Sequence, residues 1–181
     1  KKISIVEAKG YCYGWHFYQA GDADLVVSSD DALFGHPAFR YAGWGPRLWT
    51  WLETVGLRKF SEMLFTGRPF TAKEMYDCNF LNSVVPREKL DEETKKYALA
   101  CSRTRPTDVV QVQKTFIELY KQYRGEYMGS LLTGFVEGSD KGDTKAKPEI
   151  WTEMDKFREK AGKSQEDVVR LNVAVKTGNV D

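Results

Sequence analysis

The sequence is poor in the residues that build metal centres and disulfide frameworks. Its 181 residues include only two histidines, His16 and His36, and three cysteines, at positions 12, 78 and 101. The cysteines are odd in number, lack a C-x-x-C spacing and stand in apolar or helical contexts, which favours reduced thiols in a cytosol. No Cys or acidic cluster accompanies the histidines, so we expect a cytoplasmic protein without a metal site.

Long apolar runs and an excess of one charge are also missing. No run approaches the roughly 20 apolar residues needed to span a bilayer. The chain has 27 basic and 26 acidic residues, a net charge of +1, so no overall field would recruit a nucleic acid or a membrane surface. We therefore expect neither as a partner. The length suits one domain, or one domain with a tail, and 41% hydrophobic residues suffice for a core.

The most informative stretch runs from Lys9 to Pro37, KGYCYGWHFYQAGDADLVVSSDDALFGHP. With the residues before it, the pattern predicts a strand over 3–8, a Gly-flanked turn, a short helix from about Trp15, a strand over 25–28 and a short segment over 33–37. A strand that turns directly into a helix leaves the first helical N–H groups unpaired at the positive end of the helix dipole. Such a turn can bind an oxyanion or a carbonyl oxygen. Alternatively, Gly10 and Gly14 only permit a tight turn.

The rest of the chain is predicted to be mainly helical. Thr71 and Glu74 match a capping box, and Gly56, Gly67 and Asn79 suit left-handed positions after helices. Residues 138–148, GSDKGDTKAKP, are typical of a mobile linker. The predicted helices cover 47–56, 57–65, 71–78, 91–103, 107–123, 126–136, 149–160 and 164–172, and a strand covers 80–85.

A series of spaced motifs lies between residue 3 and about residue 105. They are Gly10-Tyr11, Gly14, Ala20 with Asp24, Phe34-Gly35-x-Pro37, Glu62-Met63-Leu64-x-Thr66-Gly67-Arg68, Ala72, Glu74 and Asn82-Ser83-Val84-Val85-Pro86. In this order they resemble the crotonase (enoyl-CoA hydratase/isomerase) superfamily. The resemblance implies an α/β fold, a crotonase-like ββα spiral core followed by a C-terminal helical region.

On that resemblance we expect four regions along the chain. Residues 1–86 form the C-terminal part of the spiral core, 87–137 a helical region, 138–148 a flexible linker and 149–181 C-terminal helices. These last helices either pack on a neighbouring subunit or fold back on their own domain. The resemblance also implies that an N-terminal portion of the fold, with a second oxyanion donor, has no counterpart here. We expect the chain to be a fragment of a larger protein, the alternative being a separate chain that completes it.

The resemblance implies a substrate, an oxyanion hole and an assembly. Members of the superfamily bind an acyl-CoA thioester, and no further cofactor is expected. One of the two backbone N–H groups that hold the thioester oxygen comes from the position of Trp15, next to Gly14. The superfamily also implies a homotrimer or a dimer of trimers.

The two glutamates that add water in the hydratases of this superfamily are replaced by other residue types in this sequence. The two glutamates of those enzymes correspond to Tyr18 and Ala38. Alanine transfers no proton, and a phenol with a pKa near 10 is a poor base at neutral pH. Candidate acid/base groups are therefore Tyr18, His16 and His36, since histidine exchanges protons near pH 7. The alternatives are that Tyr18 packs, that the ring of His16 points away and that His36 only braces its loop.

Aromatic residues follow the Phe-Gly-x-Pro segment. Phe39, Tyr41 and Trp44 are candidates to line a pocket for a ring or bulky acyl group, with Arg40 for a carboxylate. For Trp49 and Trp51 we prefer a role in core and helix packing.

These observations favour an acyl-CoA enzyme with unusual acid/base groups. We expect a non-standard hydratase, hydrolase, C–C lyase or isomerase that acts on a bulky or cyclic acyl group, in fatty acid or in aromatic or alicyclic acid metabolism. The alternative is a catalytically inactive crotonase-fold subunit that serves assembly or regulation. An RNA-binding member of the fold is disfavoured, because no basic face stands out.

Overall fold

The computed structural model describes residues 2–36, 48–103 and 107–139. The helices and strands alternate through the first 90 residues, and helices follow. In chain order they are β1 (Ile5–Ala8), β2 (Tyr11–Tyr13), α1 (Trp15–Asp22), β3 (Leu25–Ser29), β4 (Leu33–Gly35), α2 (Leu48–Val55), α3 (Leu57–Thr66), β5 (Phe70–Thr71), α4 (Ala72–Asp77), β6 (Ser83–Val85), a 3-10 turn (Arg87–Lys89), α5 (Leu90–Ser102), α6 (Thr107–Tyr123) and α7 (Glu126–Ser139).

The strands of the described residues form two small sheets. One sheet has the order β1-β3-β6 with parallel pairing, and the other has the order β2-β4-β5. In the second sheet β2 and β4 are parallel, whereas β5 is antiparallel to β4. Two consecutive strands followed by a helix thus occur twice, and each repeat contributes one strand to each sheet. This is a ββα spiral, as the sequence predicts.

The core lies between these sheets and helices α1, α2 and α4. Phe17 of α1 stacks on Phe80 with ring centroids 5.4 Å apart, and Phe80 meets Phe34 of β4 edge-on at 6.1 Å. Trp51 of α2 is 1% exposed and its ring lies 4.9 Å from that of Phe17. The expected packing role of Trp51 is confirmed, whereas the side chain of Trp49 lies outside the described residues.

Several local sequence signals have the predicted geometry. The Thr71 hydroxyl accepts from the backbone N–H of Glu74, whose carboxylate accepts from the N–H of Thr71, so the capping box is present. Gly67 is left-handed with φ 60°, Asn79 has φ 65° and Gly56 has φ 85°. Each of these residues ends a helix where a Cβ-bearing residue other than Asn would be strained.

Three predicted elements differ from the structure. The turn after residue 8 contains a strand, β2, because Tyr11–Tyr13 pairs with Leu33–Gly35. The strand predicted over 80–85 is only Ser83–Val85, since Phe80 and Leu81 are used as core residues. Helix α7 continues to Ser139, two residues into the predicted linker. The predicted helices over 149–160 and 164–172 lie outside the described residues.

The motif from Glu62 to Arg68, together with Glu74, builds a buried ion-pair network. The Arg68 side chain is 1% exposed and lies 2.7 Å from the Glu62 carboxylate and 2.8 Å from that of Glu74. It also donates to the carbonyl of Pro69 and lies 3.8 Å above the centre of the Phe70 ring. Burial disfavours its charge, but the hydrogen bonds to Glu74 and Glu62 outweigh it and raise the pKa of Arg68. A buried cation is tolerated only with such partners, so this motif has a structural role.

Two other motif residues hold the strands together. Asn82 accepts from the N–H of Val26 at 2.7 Å through its side chain and donates its own N–H to the Val26 carbonyl. Asp24 accepts from the N–H and hydroxyl of Ser4 and from the ammonium of Lys114 on α6. Burial acts against ionisation of Asp24, but these hydrogen bonds prevail and lower its pKa. Both residues therefore join segments that are far apart in sequence.

Helix α1 can approach Trp51 only because residue 21 is glycine. A Cβ on Gly21 would lie 2.6 Å from Cζ2 of the indole. In a helix interior, alanine is otherwise preferred to glycine by about 0.5–1 kcal/mol. We expect Gly21→Ala nevertheless to lower the free energy of unfolding by about 1–3 kcal/mol, because the ring or the helix must shift. Urea unfolding followed by circular dichroism measures the change.

The control for this prediction is the same substitution beside a smaller ring. In a Trp51→Phe background, Gly21→Ala should cost less than in the wild type, because the overlap is relieved. An equal cost in both backgrounds would show that the Gly21–Trp51 contact is not the cause.

Candidate active site

The candidate site begins at the turn from β2 into α1. Gly14 is the residue before the helix and has φ 57° and ψ −123°, a conformation that glycine adopts without strain. The first helical hydrogen bond runs from the N–H of Tyr18 to the Gly14 carbonyl at 3.1 Å. The N–H groups of Trp15 and His16 therefore precede the bonded part of the helix, and Gly14 offers no side-chain cap. This is a donor cluster at the positive end of a helix dipole.

The parallel pairing of β2 with β4 brings the next segment beside this turn. Tyr13 pairs with Gly35, so Gly14 and His36 are the residues that follow the pair on each strand. Tyr18, one turn into α1, contacts the imidazole of His36 edge-on with ring centroids 5.5 Å apart. Tyr18 also lies 5.7 Å from Trp15 and 5.0 Å from Trp51. The structure thus unites Trp15, Tyr18 and His36, three of the predicted site residues.

The imidazole of His36 is half-buried. Its burial lowers the pKa of His36 below the ordinary value of 6.5, and a backbone hydrogen bond of the same residue opposes that shift only in part. The ring is therefore neutral at pH 7 and can accept a proton. A phenol and a neutral imidazole in contact can serve as hydrogen-bond donor and proton acceptor.

The other predicted residues are placed differently or not described. His16 is exposed at the outer side of the first helical turn, and Trp15 is 81% exposed. Phe39, Arg40, Tyr41 and Trp44 lie outside the described residues, as does Ala38. The predicted pocket wall is therefore not described by the structure.

Tyr13 is a polar residue near the site that the sequence reasoning missed. Its hydroxyl is buried and, among the described residues, has no hydrogen-bond partner. Burial raises the pKa of Tyr13, and the neighbouring Tyr11, with rings 5.4 Å apart, raises it further. The phenol stays protonated and can donate one hydrogen bond. The alternation of Tyr11, Cys12 and Tyr13 was the available signal, because it places both tyrosines on one face of a strand.

The described ranges hold neither a metal-binding cluster nor a membrane-spanning helix. Residues 2–36, 48–103 and 107–139 contain no group of three or more His, Cys, Asp or Glu side chains arranged to hold a metal ion. In these ranges no helix has the length and apolarity needed to cross a membrane. The three cysteines are all described and are free thiols. Burial raises the pKa of Cys12 to about 12, so this thiol is not a nucleophile at neutral pH.

Characterised proteins similar to this chain are CoA enzymes. The mevalonyl-coenzyme A hydratase of Aspergillus fumigatus is 31% identical over 113 residues, which cover 60% of this chain and 41% of that protein. A (7aS)-7a-methyl-1,5-dioxo-2,3,5,6,7,7a-hexahydro-1H-indene-carboxyl-CoA hydrolase of Rhodococcus jostii is 29% identical, with coverage of 62% and 43%. The crystal structure of a probable enoyl-CoA hydratase from Mycobacterium smegmatis is similar with a TM-score of 0.66 and 29% identity, over 74% of this chain and 55% of that one.

The aligned part of this chain belongs to the crotonase superfamily. A second enoyl-CoA hydratase structure from Mycobacterium smegmatis matches with a TM-score of 0.68 over 93% of the chain and 55% of its own length, at 21% identity, which supports the fold. The chain spans about two fifths of the length of the curated relatives that it matches.

The C-terminal part matches a different family. A profile of the cytochrome c′ family matches residues 110–181. Attachment of c-type haem needs a C-x-x-C-H motif, and axial ligation in these proteins uses histidine or methionine. Residues 110–181 contain neither cysteine nor histidine, so the attachment site of a c-type haem is absent from the matched sequence. The residues present do not fit the cofactor.

The half-buried His36 of this crotonase-fold chain predicts a pH dependence of stability. The folded-state pKa is below the unfolded value of 6.5, so between the two values the unfolded chain binds more protons. The effect of His36 on the free energy of unfolding is absent above about pH 7.5, and it destabilises the fold as the pH falls through 6.5. We expect wild-type protein to lose more stability than His36→Gln between pH 7.5 and pH 5, as measured by urea unfolding.

The matched control is His16→Gln, which removes the other histidine of the chain. It should keep the wild-type dependence on pH through this range. If His36→Gln and wild type lose the same stability, burial of His36 does not lower its pKa.

Proposed function

We propose that the protein acts on acyl-CoA thioesters through a backbone oxyanion hole, with the N–H of Trp15 as one donor. The observation that carries the proposal is the Gly14 turn of a crotonase-fold chain, which places the start of helix α1 and the N–H of Trp15 beside the Tyr18–His36 contact. An oxyanion-hole donor contributes roughly 3–4 kcal/mol to transition-state stabilisation in related sites. A backbone donor also tolerates a change of side chain at the position of Trp15.

The acid/base chemistry is assigned to Tyr18 and His36. A neutral imidazole can take a proton from water or from a carbon next to the thioester, and the phenol of Tyr18 can donate to a developing or leaving oxygen. In a hydrolysis, water would lose its proton to His36 while it attacks a carbonyl carbon, and the turn would hold the oxyanion that forms. His16, exposed after the oxyanion residue, is proposed as a third group that exchanges protons with solvent.

The reaction class we favour is hydrolysis or C–C cleavage of a bulky or cyclic acyl-CoA. Syn-hydration by paired carboxylates is disfavoured, since Tyr18 and Ala38 stand at the two glutamate positions. One characterised relative is, by its name, a hydrolase of an indene-carboxyl-CoA, a fused-ring acyl group. The aromatic residues Phe39, Tyr41 and Trp44, with Arg40, are proposed to surround such a group. A homotrimer or a dimer of trimers in the cytoplasm is proposed on the family resemblance.

The experiment that tests this proposal titrates the purified protein with a panel of straight-chain and cyclic acyl-CoAs. Calorimetry measures binding, and mass spectrometry of the same mixtures detects a product. We expect binding and a mass gain of about 18 Da for hydrolysis of a cyclic acyl-CoA at a carbon–carbon bond, or release of free CoA for thioester hydrolysis. Failure of every acyl-CoA to bind would contradict the proposal and favour an inactive assembly subunit.

Single substitutions test the assigned groups. Tyr18→Phe, His36→Gln and His16→Ala should each lower kcat more than they weaken acyl-CoA binding, because they remove proton transfer rather than the backbone donor. We expect losses of about 10²–10⁴ in kcat where a group acts as general acid or base. Steady-state kinetics with the turned-over acyl-CoA gives the values.

Gln19→Ala, an exposed position on the same helix, is the control and should leave kcat and KM unchanged. If one of the three variants keeps the wild-type kcat, the residue that it replaces has no role in proton transfer.

A further inference from the structure

Trp15 leaves its indole exposed at the start of helix α1. The structure describes the side chains of two tryptophans, and Trp51 is 1% exposed whereas Trp15 is 81% exposed. A tryptophan ring carries a large apolar area, so its burial by a ligand is favourable. Binding sites for small molecules are commonly lined by such aromatic side chains. The Trp15 ring is therefore a candidate ligand contact.

Tyr18 positions this indole beside the proposed acid/base groups. The ring centroids of Trp15 and Tyr18 lie 5.7 Å apart at an interplanar angle of 54°. Tyr18 in turn contacts Trp51 at 5.0 Å and the imidazole of His36 at 5.5 Å. Trp51 is buried, and both Tyr18 and His36 are half-buried. The indole of Trp15 is thus the solvent-facing member of an aromatic cluster at the Gly14 turn.

The charges around the indole indicate which kind of ligand it suits. Among the described residues, the cations that lie over an aromatic ring are Lys59 and Arg68, and both lie over Phe70 rather than Trp15. The first turn of α1 carries no acidic residue, so a positively charged ligand would find no carboxylate partner in this turn. The occupant that suits the indole is an uncharged ring.

The backbone N–H and the indole belong to the same residue, so both act on one bound ligand. Under the proposed function, on which this inference rests, the N–H of Trp15 donates to the thioester oxygen at about 3 Å. The indole is attached to the Cα next to that nitrogen. An acyl group whose carbonyl oxygen is held by the N–H therefore lies within reach of the ring.

We propose that the indole of Trp15 determines acyl-group specificity and favours a flat, unsaturated ring over a saturated ring of the same size. A flat ring packs against the indole in an offset-stacked or edge-to-face arrangement, which adds attraction between the π systems to apolar burial. A puckered, saturated ring buries apolar area without this attraction. The expected preference is about three- to tenfold in the dissociation constant, the value of one aromatic pair. This role is separate from that of the backbone N–H, which every residue except proline supplies.

Calorimetric titration with benzoyl-CoA and cyclohexanecarboxyl-CoA tests this inference. The two compounds share the CoA portion and the ring size, so the ratio of their dissociation constants cancels any general weakening of the site by a substitution. We expect the wild-type protein to bind benzoyl-CoA about three- to tenfold more tightly. In Trp15→Leu, which keeps an apolar side chain but has no ring, the ratio should fall to near one. Trp15→Phe, which keeps a flat ring, should retain part of the preference.

The matched control is Phe65→Ala on helix α3. Phe65 is 80% exposed, close to the exposure of Trp15, so the two substitutions remove aromatic rings of similar accessibility. Phe65→Ala should leave the ratio of the dissociation constants at the wild-type value.

A wild-type ratio in Trp15→Leu, or equal binding of the two compounds by the wild type, would overturn the inference and leave the proposed function intact. A change in the sedimentation coefficient of the unliganded protein in Trp15→Leu would assign the indole to a contact with a second copy of the chain and would also overturn it. Failure of both compounds to bind would contradict the proposed function and, with it, this inference.

Discussion

The parallel register of β2 and β4 is the constraint on which the candidate site depends. Because Tyr13 pairs with Gly35, the turn at Gly14 and the imidazole of His36 emerge from the same edge of the sheet. Helix α1 must then begin at Trp15, and one turn later Tyr18 meets His36. A shift of the register by one residue would turn every side chain of the strand to the other face and would separate these groups.

The register is in turn maintained by packing and by charges far from the site. Trp51 presses on Phe17, Tyr18 and Gly21, so α1 has a fixed orientation over the sheet. The Arg68 network joins the ends of α3 and α4 to the strand β5, which pairs with β4. The motif residues Glu62, Arg68 and Glu74 therefore stabilise the fold, whereas the groups proposed for chemistry lie at the start of α1 and after β4.

Because the residues that stabilise the fold differ from the groups proposed for chemistry, membership of the superfamily does not determine which reaction is catalysed. The backbone donors of the Gly14 turn depend only on a strand-to-helix geometry and survive changes of side chain. Proton transfer depends on particular side chains, and the groups we propose for it are the phenol of Tyr18 and the imidazole of His36. Helices α6 and α7 make polar contacts to the core, through Lys114 and Asp24 among others, and leave large apolar side chains exposed.

Local signals in the sequence were sufficient for several helix starts and ends among the described residues. The capping box of Thr71 and Glu74, the left-handed Asn79 and the start of α1 at Trp15 depend on residues within a few positions of one another, so propensity and short-range hydrogen bonds determine them. The motifs also determined the superfamily. Tertiary structure alone decided that Tyr11–Tyr13 is a strand, that Tyr18 contacts His36 and that the Tyr13 hydroxyl is buried. These depend on pairing between segments about 20 residues apart, and the energy of that pairing appears only when the two sheets and α1 pack together.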